Sequence, residues 1–306
     1  MSDPPYQLPP LGIWTGSLDL VPSAEARDLA AELEQLGYGA LWIPEVAGRD
    51  VMAHLVMLLS ATNRLVGATG IANIWARDAV TMTGGVSALT EAFPERVLLG
   101  LGVSHRHLVQ DLRGHSYEKP LAAMKDYLEA MDRSPYTAFR PSTPIRRVLA
   151  ALGPRMLGLA AERTDGAHTY LVPPEHTASA RPLLGPALLC VEQAVLLETD
   201  PEVAREVARG HTSVYLRAPN YLSNLRRLGF TEDDFVDGGS DRLVDAIVAW
   251  GDEEAVLARV RAHFDAGADH VCVQPLAAGR REVPSGLWRA LAPALRSLCS
   301  EVRPQA

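Results

Sequence analysis

Apolar residues recur along this chain in a repeated order of helix, glycine and strand. In residues 25–43, apolar positions such as Leu29 and Leu33 follow helical spacing, Gly37 comes next, and the continuous apolar run 40–43 follows. A glycine after the last periodic position is a typical helix end, and the short apolar run predicts a buried strand. The same order returns in two later segments, 157–172 and 260–274.

Eight short apolar runs are predicted as strands: 11–16, 40–43, 64–70, 96–102, 145–152, 167–172, 187–197 and 269–276. Most are continuous rather than alternating, as in parallel strands covered by helices on both faces. Eight such units favour an α/β chain folded as one (β/α)8 TIM barrel domain over 1–306. A doubly wound open sheet is the alternative. The segment 200–267 is longer than one helix needs, which predicts a helical excursion between strands 7 and 8 over the active-site mouth.

The composition and charge of the chain argue against several classes of protein. The chain has 306 residues and a formal net charge of −8, which argues against a nucleic-acid partner. The three cysteines, Cys190, Cys272 and Cys299, are widely spaced, as in proteins of a reducing compartment. The N-terminal residues lack a signal-peptide pattern, and no apolar run reaches the roughly 18 residues of a membrane span. We therefore expect a cytoplasmic protein without a membrane partner.

The carboxyl ends of barrel strands carry function. Glu45 directly follows the second strand, where a carboxylate faces the mouth and can act as an acid or base; a solvated loop residue is the alternative. After the third strand, the segment 69–78 contains Asn73 and Trp75, and Asp78 can cap the next helix. An ordinary strand-to-helix loop is the alternative there.

Residues 98–105, LLGLGVSH, raise the possibility of a dinucleotide fingerprint. Gly100 and Gly102 match the start of G-x-G-x-x-G, but its last position is His105. A better interpretation is a barrel strand whose bare backbone lets a flat ligand lie against it.

A second candidate site opens a helix. In residues 152–162, LGPRMLGLAAE, Pro154 stands at the first helical position and Arg155 follows. Free N–H groups at a helix start, together with an arginine, favour an anion site. A plain helix start is the alternative.

Three histidines follow the fourth strand, at His105, His107 and His115, with Asp111 between them. A barrel metallohydrolase uses such residues. Their spacing, however, matches no helical ligand pair, so a hydrogen-bonding or ligand-facing role is favoured over a metal site.

These segments together resemble a known family. WIPE, TGIANIWARD, ERVLLGLGVSH, RGHSYEKPLAAMKDYL and LGPRMLGLAAERTDGA occur in that order. Over residues 11–280 the chain resembles the luciferase-like monooxygenase superfamily, specifically its coenzyme F420-dependent oxidoreductases. The resemblance implies a bacterial-luciferase-like barrel, a homodimer, and a deazaflavin held at the mouth.

The resemblance also implies roles for individual residues. A cis peptide bond is expected at Gly70–Ile71, behind the ring. Glu45 matches the family's acidic residue, and Trp14 and Trp75 are expected to wall the substrate side. The cofactor-binding residues implied are Gly70, Ile71, Asn73, Gly102, Val103, Ser104, Ala151, Leu152, Gly153, Pro154 and Arg155.

The chain departs from the family at two positions linked to proton transfer. Some relatives carry a histidine and a glutamate where this chain has Val46 and Val103. Glu45 and His105 are the nearest replacements, and we take them as candidate acid–base residues. The lysines that bind a sugar phosphate in one branch have no match, which argues against a sugar-phosphate dehydrogenase.

The resulting hypothesis is an F420-dependent oxidoreductase that exchanges a hydride between deazaflavin C5 and a small organic substrate. The deazaflavin's anionic tail favours arginines at the mouth, and Arg77, Arg106, Arg113 and Arg155 are available. One alternative is an FMN-dependent monooxygenase of the same superfamily. Others are a metallohydrolase using the three histidines and a cofactor-binding protein without catalysis.

Overall fold

The computed structural model describes residues 8–277 and 282–302. Its ten strands are β1 (Leu11–Trp14), β2 (Ala40–Ile43), β3 (Val66–Thr69), β4 (Ala72–Asn73), β5 (Val97–Gly102), β6 (Arg146–Ala150), β7 (Gly166–Thr169), β8 (Leu188–Leu197), β9 (Ala249–Gly251) and β10 (His270–Pro275). All eight predicted strands are present, with several ends shortened by one to three residues.

Eight of these strands close into a parallel barrel. They lie in the order β10-β1-β2-β3-β5-β6-β7-β8, and β10 also pairs with β8. The closing pair places Cys272 opposite Glu192 and Gln274 opposite Ala194. The (β/α)8 prediction is therefore confirmed. The open-sheet alternative is wrong, because an open sheet has no pairing between its first and last strands.

Two short strands lie outside the barrel order and were not predicted. β4 follows β3 after two residues and pairs with β5 through Ala72 and Asn73. β9 lies in the excursion and extends β8 through Ala249 and Gly251. Strands of two or three residues are too short to leave a periodic signal in the sequence.

The helices lie between the strands in the order α1 (Ser23–Gln35), α2 (Val51–Leu59), α3 (Ala79–Ala92), α4 (Arg106–Gln110), α5 (Pro120–Asp132), α6 (Pro154–Arg163), α7 (Pro174–Leu184), α8 (Pro201–Tyr215), α9 (Pro219–Arg227), α10 (Asp241–Ile247), α11 (Glu253–Asp265) and α12 (Ser285–Val302). Asp78 caps α3, as predicted, because its Oδ1 accepts a hydrogen bond from the backbone N–H of Thr81 at 2.9 Å.

The interior of the barrel is filled with side chains. Trp42, Leu98, Val148, Cys190 and Cys272 are fully buried there. A filled interior leaves the two ends of the barrel as places for a ligand, as in other TIM barrels. A larger apolar layer separates the strands from the surrounding helices.

The predicted helical excursion is confirmed and contains α8 to α11 between β8 and β10. Its buried residues, among them Leu225 and Leu243, form an apolar cluster with Leu171, which follows β7. This packing holds α8 and α9 against the carboxyl ends of the strands, where they form part of the mouth.

Candidate active site

A cavity of about 470 Å³ opens at the mouth of the barrel, and we call it the main cleft. It is lined by Ile71, Gly102, Val103, Ser104, His105, Tyr117, Pro120, Leu121, Ala150, Ala151, Leu152, Gly153, Pro154, Arg155, Met156, His168, Tyr170, Asn220, Tyr221, Ser223 and Arg227. Nine of the eleven sequence-predicted cofactor residues are therefore brought together, along with His105. The other two, Gly70 and Asn73, lie directly behind this wall.

The wall behind the cleft is built around the Gly70–Ile71 peptide bond, which is cis, as the family resemblance implies. The Gly70 carbonyl accepts a hydrogen bond from Nε1 of Trp14 at 3.1 Å. The Ile71 carbonyl accepts one from the backbone N–H of Glu45 at 3.2 Å. These bonds tie the segment after β3 to the ends of β1 and β2, so Ile71 is held at the cleft.

The need for glycine at positions 100 and 102 has a different physical cause from the one that the sequence suggests. A Cβ at Gly100 would lie 2.0 Å from the Thr69 carbonyl oxygen. A Cβ at Gly102 would lie 2.5 Å from Cδ1 of Ile71. Both glycines are thus required by the close approach of β3 and the segment after it. Gly102 also lines the cleft, and Ile71 lies against it there, so the two residues form one wall of the cleft.

Glu45 does not line the cleft. Its carboxylate forms a buried, two-point ion pair with the Arg77 guanidinium, in which Nη1 donates to Oε2 at 3.0 Å and Nη2 donates to Oε1. Oε2 also accepts the backbone N–H of Asn73 at 2.9 Å. The carboxylate raises the pKa of Arg77 against the opposing effect of burial. Both oxygens of Glu45 are thus engaged by Arg77 and Asn73 away from the cleft, which does not suit the predicted proton-donor role.

The start of α6 forms the far end of the main cleft. Gly153 precedes the helix, Pro154 occupies its first turn, and no side chain in the described part of the chain caps it. Arg155 lines the cleft there, and a Cβ at Gly153 would lie 3.4 Å from Nη2 of Arg227. Pro154 has no N–H group, and the N–H groups of Met156 and Leu157 both donate to the Gly153 carbonyl. The positive end of the helix dipole and the two exposed arginines are therefore the features that suit a phosphate here.

The other arginines predicted for the cofactor tail are engaged elsewhere. Arg77 binds Glu45, Arg113 donates to the Val46 carbonyl at 2.8 Å, and Arg106 stacks over the Tyr117 ring at 5.6 Å. The sequence reasoning missed Arg227 on α9. The excursion was expected to cover the mouth, but its sequence gives no signal for which face of α9 points inward.

The three histidines after β5 do not form a metal site. The rings of His105 and His107 stack with centroids 6.0 Å apart, whereas His115 lies against Trp75 instead. In residues 8–277 and 282–302, no three His, Cys, Asp or Glu side chains come together as potential metal ligands. The metallohydrolase alternative therefore has no site built from these histidines.

His105 remains a candidate for acid–base chemistry. It lines the cleft next to Tyr221, with ring centroids 5.4 Å apart. Its buried Nδ1 has no hydrogen-bond partner among the described residues. Burial lowers the pKa of His105 and the Asn220 side chain opposes that shift. At neutral pH the ring is therefore uncharged, and it can accept or donate a proton.

A second cavity of about 640 Å³, the side chamber, lies between β1, α8 and the segment after β10. Trp14 lines it, and the Trp14 ring contacts Tyr170 with centroids 5.2 Å apart. The Tyr170 hydroxyl lies 2.6 Å from that of Tyr215 and donates to Oε1 of Gln274 at 2.8 Å. These aromatic side chains stand at the border of the two cavities, with Tyr170 lining the main cleft and Trp14 and Tyr215 lining the side chamber.

Trp75 lies away from both cavities. It faces a third cavity, a groove of about 700 Å³, with His115 and Tyr127 on the outside of the barrel. Its Nε1 donates to the Val103 carbonyl at 3.0 Å, which supports the cleft from behind. The predicted substrate contact does not fit this position. The backbone N–H of Trp75 donates to Oδ1 of Asn73, and its ring lies in the outer groove with His115 and Tyr127.

No helix within 8–277 and 282–302 has both the length and the apolar character needed to cross a membrane.

Similarity to known proteins agrees with this geometry. Residues 12–270 match the family model described as luciferase-like monooxygenase. A 5,10-methylenetetrahydromethanopterin reductase from Methanolobus tindarius is 32% identical over 174 residues, covering 50% of this chain and 52% of that protein. The chain matches about half the length of the curated relatives.

Solved structures share the fold at low sequence identity. An F420-dependent secondary alcohol dehydrogenase in complex with an F420-acetone adduct aligns with a TM-score of 0.76 at 14% identity, covering 94% of this chain and 98% of that one. The oxygenating constituent of 3,6-diketocamphane monooxygenase from Pseudomonas putida, in complex with FMN, aligns with a TM-score of 0.67 at 14% identity, covering 92% and 95%. The family match over residues 12–270, more than half of the chain, shows that the chain belongs to the luciferase-like monooxygenase family.

Proposed function

We propose that the protein is an F420-dependent oxidoreductase that acts on a small organic substrate. The observation that supports a flat cofactor with a phosphate is the layout of the main cleft, and the choice of F420 rests on the similarity to known proteins. An apolar wall at Ile71 and Gly102 suits a flat ring, and an anion site at Gly153, Arg155 and Arg227 lies at the far end. When bound, a deazaflavin supplies hydride chemistry at its C5 atom.

Different residues of this chain would bind the ring, the ribityl chain and the phosphate of the cofactor, and the substrate. The cis Gly70–Ile71 segment and Gly102 would support the ring, and Val103 and Ser104 would border the ribityl chain. The α6 start with Arg155 and Arg227 would hold the phosphate. The side chamber, with Trp14, would receive the substrate. The protein's contribution is orientation and exclusion of water.

An FMN-dependent monooxygenase is the second candidate, since the FMN complex named above shares the fold. Both cofactors carry a flat ring and a phosphate, so the main cleft alone suits either. The F420 proposal is supported by a relative from Mycobacterium tuberculosis, named as a putative coenzyme F420-dependent oxidoreductase and 27% identical over 186 residues, and by the acetone-adduct structure. We also propose a homodimer, which light scattering of the purified protein tests.

Turnover distinguishes the candidates. Purified protein is mixed with oxidised or reduced F420 and a panel of secondary alcohols, ketones and enones, and the absorbance of oxidised F420 is followed. We expect at least one pair to turn over with F420. Oxygen-dependent turnover with reduced FMN instead would move the protein to the second candidate. Tight F420 binding without any turnover would favour a protein that binds the cofactor without catalysis.

A further inference from the structure

Two polar side chains are buried in the barrel interior beneath the main cleft, and neither has a role in the proposed function so far. His168 on β7 and Glu192 on β8 are 2% and 1% exposed. His168 lines the floor of the cleft and stacks on Trp42 with ring centroids 4.3 Å apart. Glu192 lies two residues beyond Cys190, which pairs with His168, so both side chains point inward.

Three atoms of these side chains are unpaired. Oε2 of Glu192 accepts the backbone N–H of Leu171 at 3.1 Å, from a residue whose φ of 58° lies in the left-handed region. Oε1 of Glu192 and both ring nitrogens of His168 have no hydrogen-bond partner in the part of the chain that the structure describes. Buried polar atoms are nearly always paired, so an orphaned group in a native structure points to a functional role.

The protonation states of both groups follow from burial. Burial raises the pKa of Glu192 to about 8, and only the Leu171 N–H opposes it. Burial lowers the pKa of His168 to about 3, and the nearby His270 lowers it further. At neutral pH the glutamate therefore carries a proton and the histidine does not.

The groups that face Glu192 do not supply a charge to pair with it. They are Tyr170, Tyr215, Tyr221 and Cys272, and burial raises the pKa of each. All four stay neutral near pH 7. A protonated carboxyl among neutral groups is the arrangement of a stored acid rather than of an ion pair.

A pair of hydroxyl groups near Glu192 joins the main cleft to the side chamber. Tyr170 borders the main cleft and its hydroxyl lies 2.6 Å from that of Tyr215, which lines the side chamber. Tyr170 also donates to Gln274, which is on the neighbouring strand β10 and also lines the side chamber. The hydroxyl pair therefore stands at the boundary where substrate and cofactor would meet.

We propose that Glu192 is the proton reservoir of this site, and that a water molecule on its unpaired Oε1 carries the proton to the Tyr170–Tyr215 hydroxyl pair and from there to the substrate. This inference rests on the proposed function. When a carbonyl or activated alkene is reduced, the reduced cofactor supplies the hydride and both electrons. The O–H bond of the Glu192 carboxyl breaks, and an O–H or C–H bond forms on the substrate. Water then returns a proton to the carboxylate.

Infrared difference spectroscopy tests the proposal without relying on turnover. The probe is the carbonyl band of a protonated carboxyl, followed from pH 5 to 10 in the wild type, in Glu192→Gln and in Glu202→Gln, with and without F420. Glu192→Gln keeps an acceptor for the Leu171 N–H, and Glu202 is an exposed control on α8.

The expected result has three parts. The band is present at pH 7 in the wild type and in Glu202→Gln, and is absent from Glu192→Gln. It disappears as the pH rises through about 8. Bound F420 and the substitution Tyr215→Phe should each shift the pH at which the band disappears, because each changes the polar groups around the Glu192 carboxyl. A wild type without a Glu192 band at pH 7, or a titration that F420 leaves unmoved, would overturn the proposal.

Kinetics adds a second readout once a substrate from the panel turns over. In the direction of carbonyl reduction, kcat of the wild type should fall above about pH 8, and Glu192→Gln should lose that fall. At pH 7 the variant should lower kcat by about a hundredfold or more, the usual contribution of a general acid, with F420 affinity unchanged. Failure of the proposed function is a separate result, since it appears as a wild type that does not bind F420.

Discussion

Ile71 occupies the space that a side chain at position 102 would need. A Cβ added to Gly102 would lie 2.5 Å from both Cγ1 and Cδ1 of Ile71. The close contact joins β5 to the segment that carries the cis bond, and both residues line the main cleft. The shape of the cleft wall at Ile71 thus depends on the absence of a side chain at position 102.

Gly102→Ala should therefore move Ile71 and weaken cofactor binding. Overpacking of this kind costs about 1–3 kcal/mol of unfolding free energy. Thermal unfolding and F420 titration measure the two effects. The control is Gly84→Ala on α3, where an added Cβ meets nothing within 4 Å; it should keep F420 affinity and raise stability slightly. Equal F420 affinity in Gly102→Ala and wild type would show that Ile71 does not shape the site.

Glu45→Gln should lower stability and cofactor affinity together. Removing one partner of a buried ion pair costs up to about 3–5 kcal/mol, since Arg77 then keeps only the more exposed Asp50 as a compensating charge. Asp50→Asn is the matched control, because Asp50 contacts the same guanidinium from a side chain that is 54% exposed. That control should change stability by less than about 1 kcal/mol. A Glu45→Gln protein with wild-type stability and lost turnover would restore Glu45 to a role in proton transfer.

Arg227→Ala should weaken F420 binding by about tenfold to a hundredfold, the usual range for a charged hydrogen bond to an anion. Arg226→Ala is a neighbouring control on the same helix, where the side chain pairs with Glu232 at 2.7 Å and stacks on Phe235. Isothermal titration at two salt concentrations measures both variants. Equal losses of F420 affinity in the two variants would mean that Arg227 makes no specific contact and that α9 contributes only its positive charge.

Glu192 should make the wild type less stable as the pH rises. Its pKa is about 8 in the folded protein against an ordinary value of 4.5, so the folded state binds more protons between those pH values. The unfolding free energy of wild type should therefore fall relative to Glu192→Gln from about pH 4.5 to about pH 8, and the difference should then level off. It should reach the order of a few kcal/mol. A constant difference across this range would contradict a buried, protonated Glu192.

The barrel could be predicted because each strand carries its own signal. Continuous apolar runs such as 96–102 identify a buried strand locally, and eight of them with intervening helices leave few arrangements. The rule that strand ends meet at one mouth places residues 102–107 and 153–155 there, whereas the cofactor roles of Gly102 to Ser104 and of Ala151 to Arg155 come from the family resemblance and stay predictions. The cis Gly70–Ile71 bond came only from the family resemblance.

The remaining features depend on contacts between distant residues. The Glu45 carboxylate is engaged away from the cleft because Arg77, 32 positions along the chain, reaches it. The Trp75 ring is held on the outside of the barrel by the hydrogen bond from its Nε1 to the Val103 carbonyl, 28 positions along the chain. Arg227 enters the cleft only because the excursion packs on Leu171. Glu192 lies inside an apolar strand, and its unpaired oxygen is visible only in three dimensions.

The most direct test of the central claim is a fluorescence titration of the purified protein with F420 and, separately, with FMN. We predict saturable binding of F420 at micromolar or lower concentration, weakened by Arg227→Ala, and no saturable binding of FMN in the same range. Tight binding of FMN alone would contradict the account and assign the protein to the flavin branch of the family. Binding of neither would contradict the assignment of the main cleft as a cofactor site.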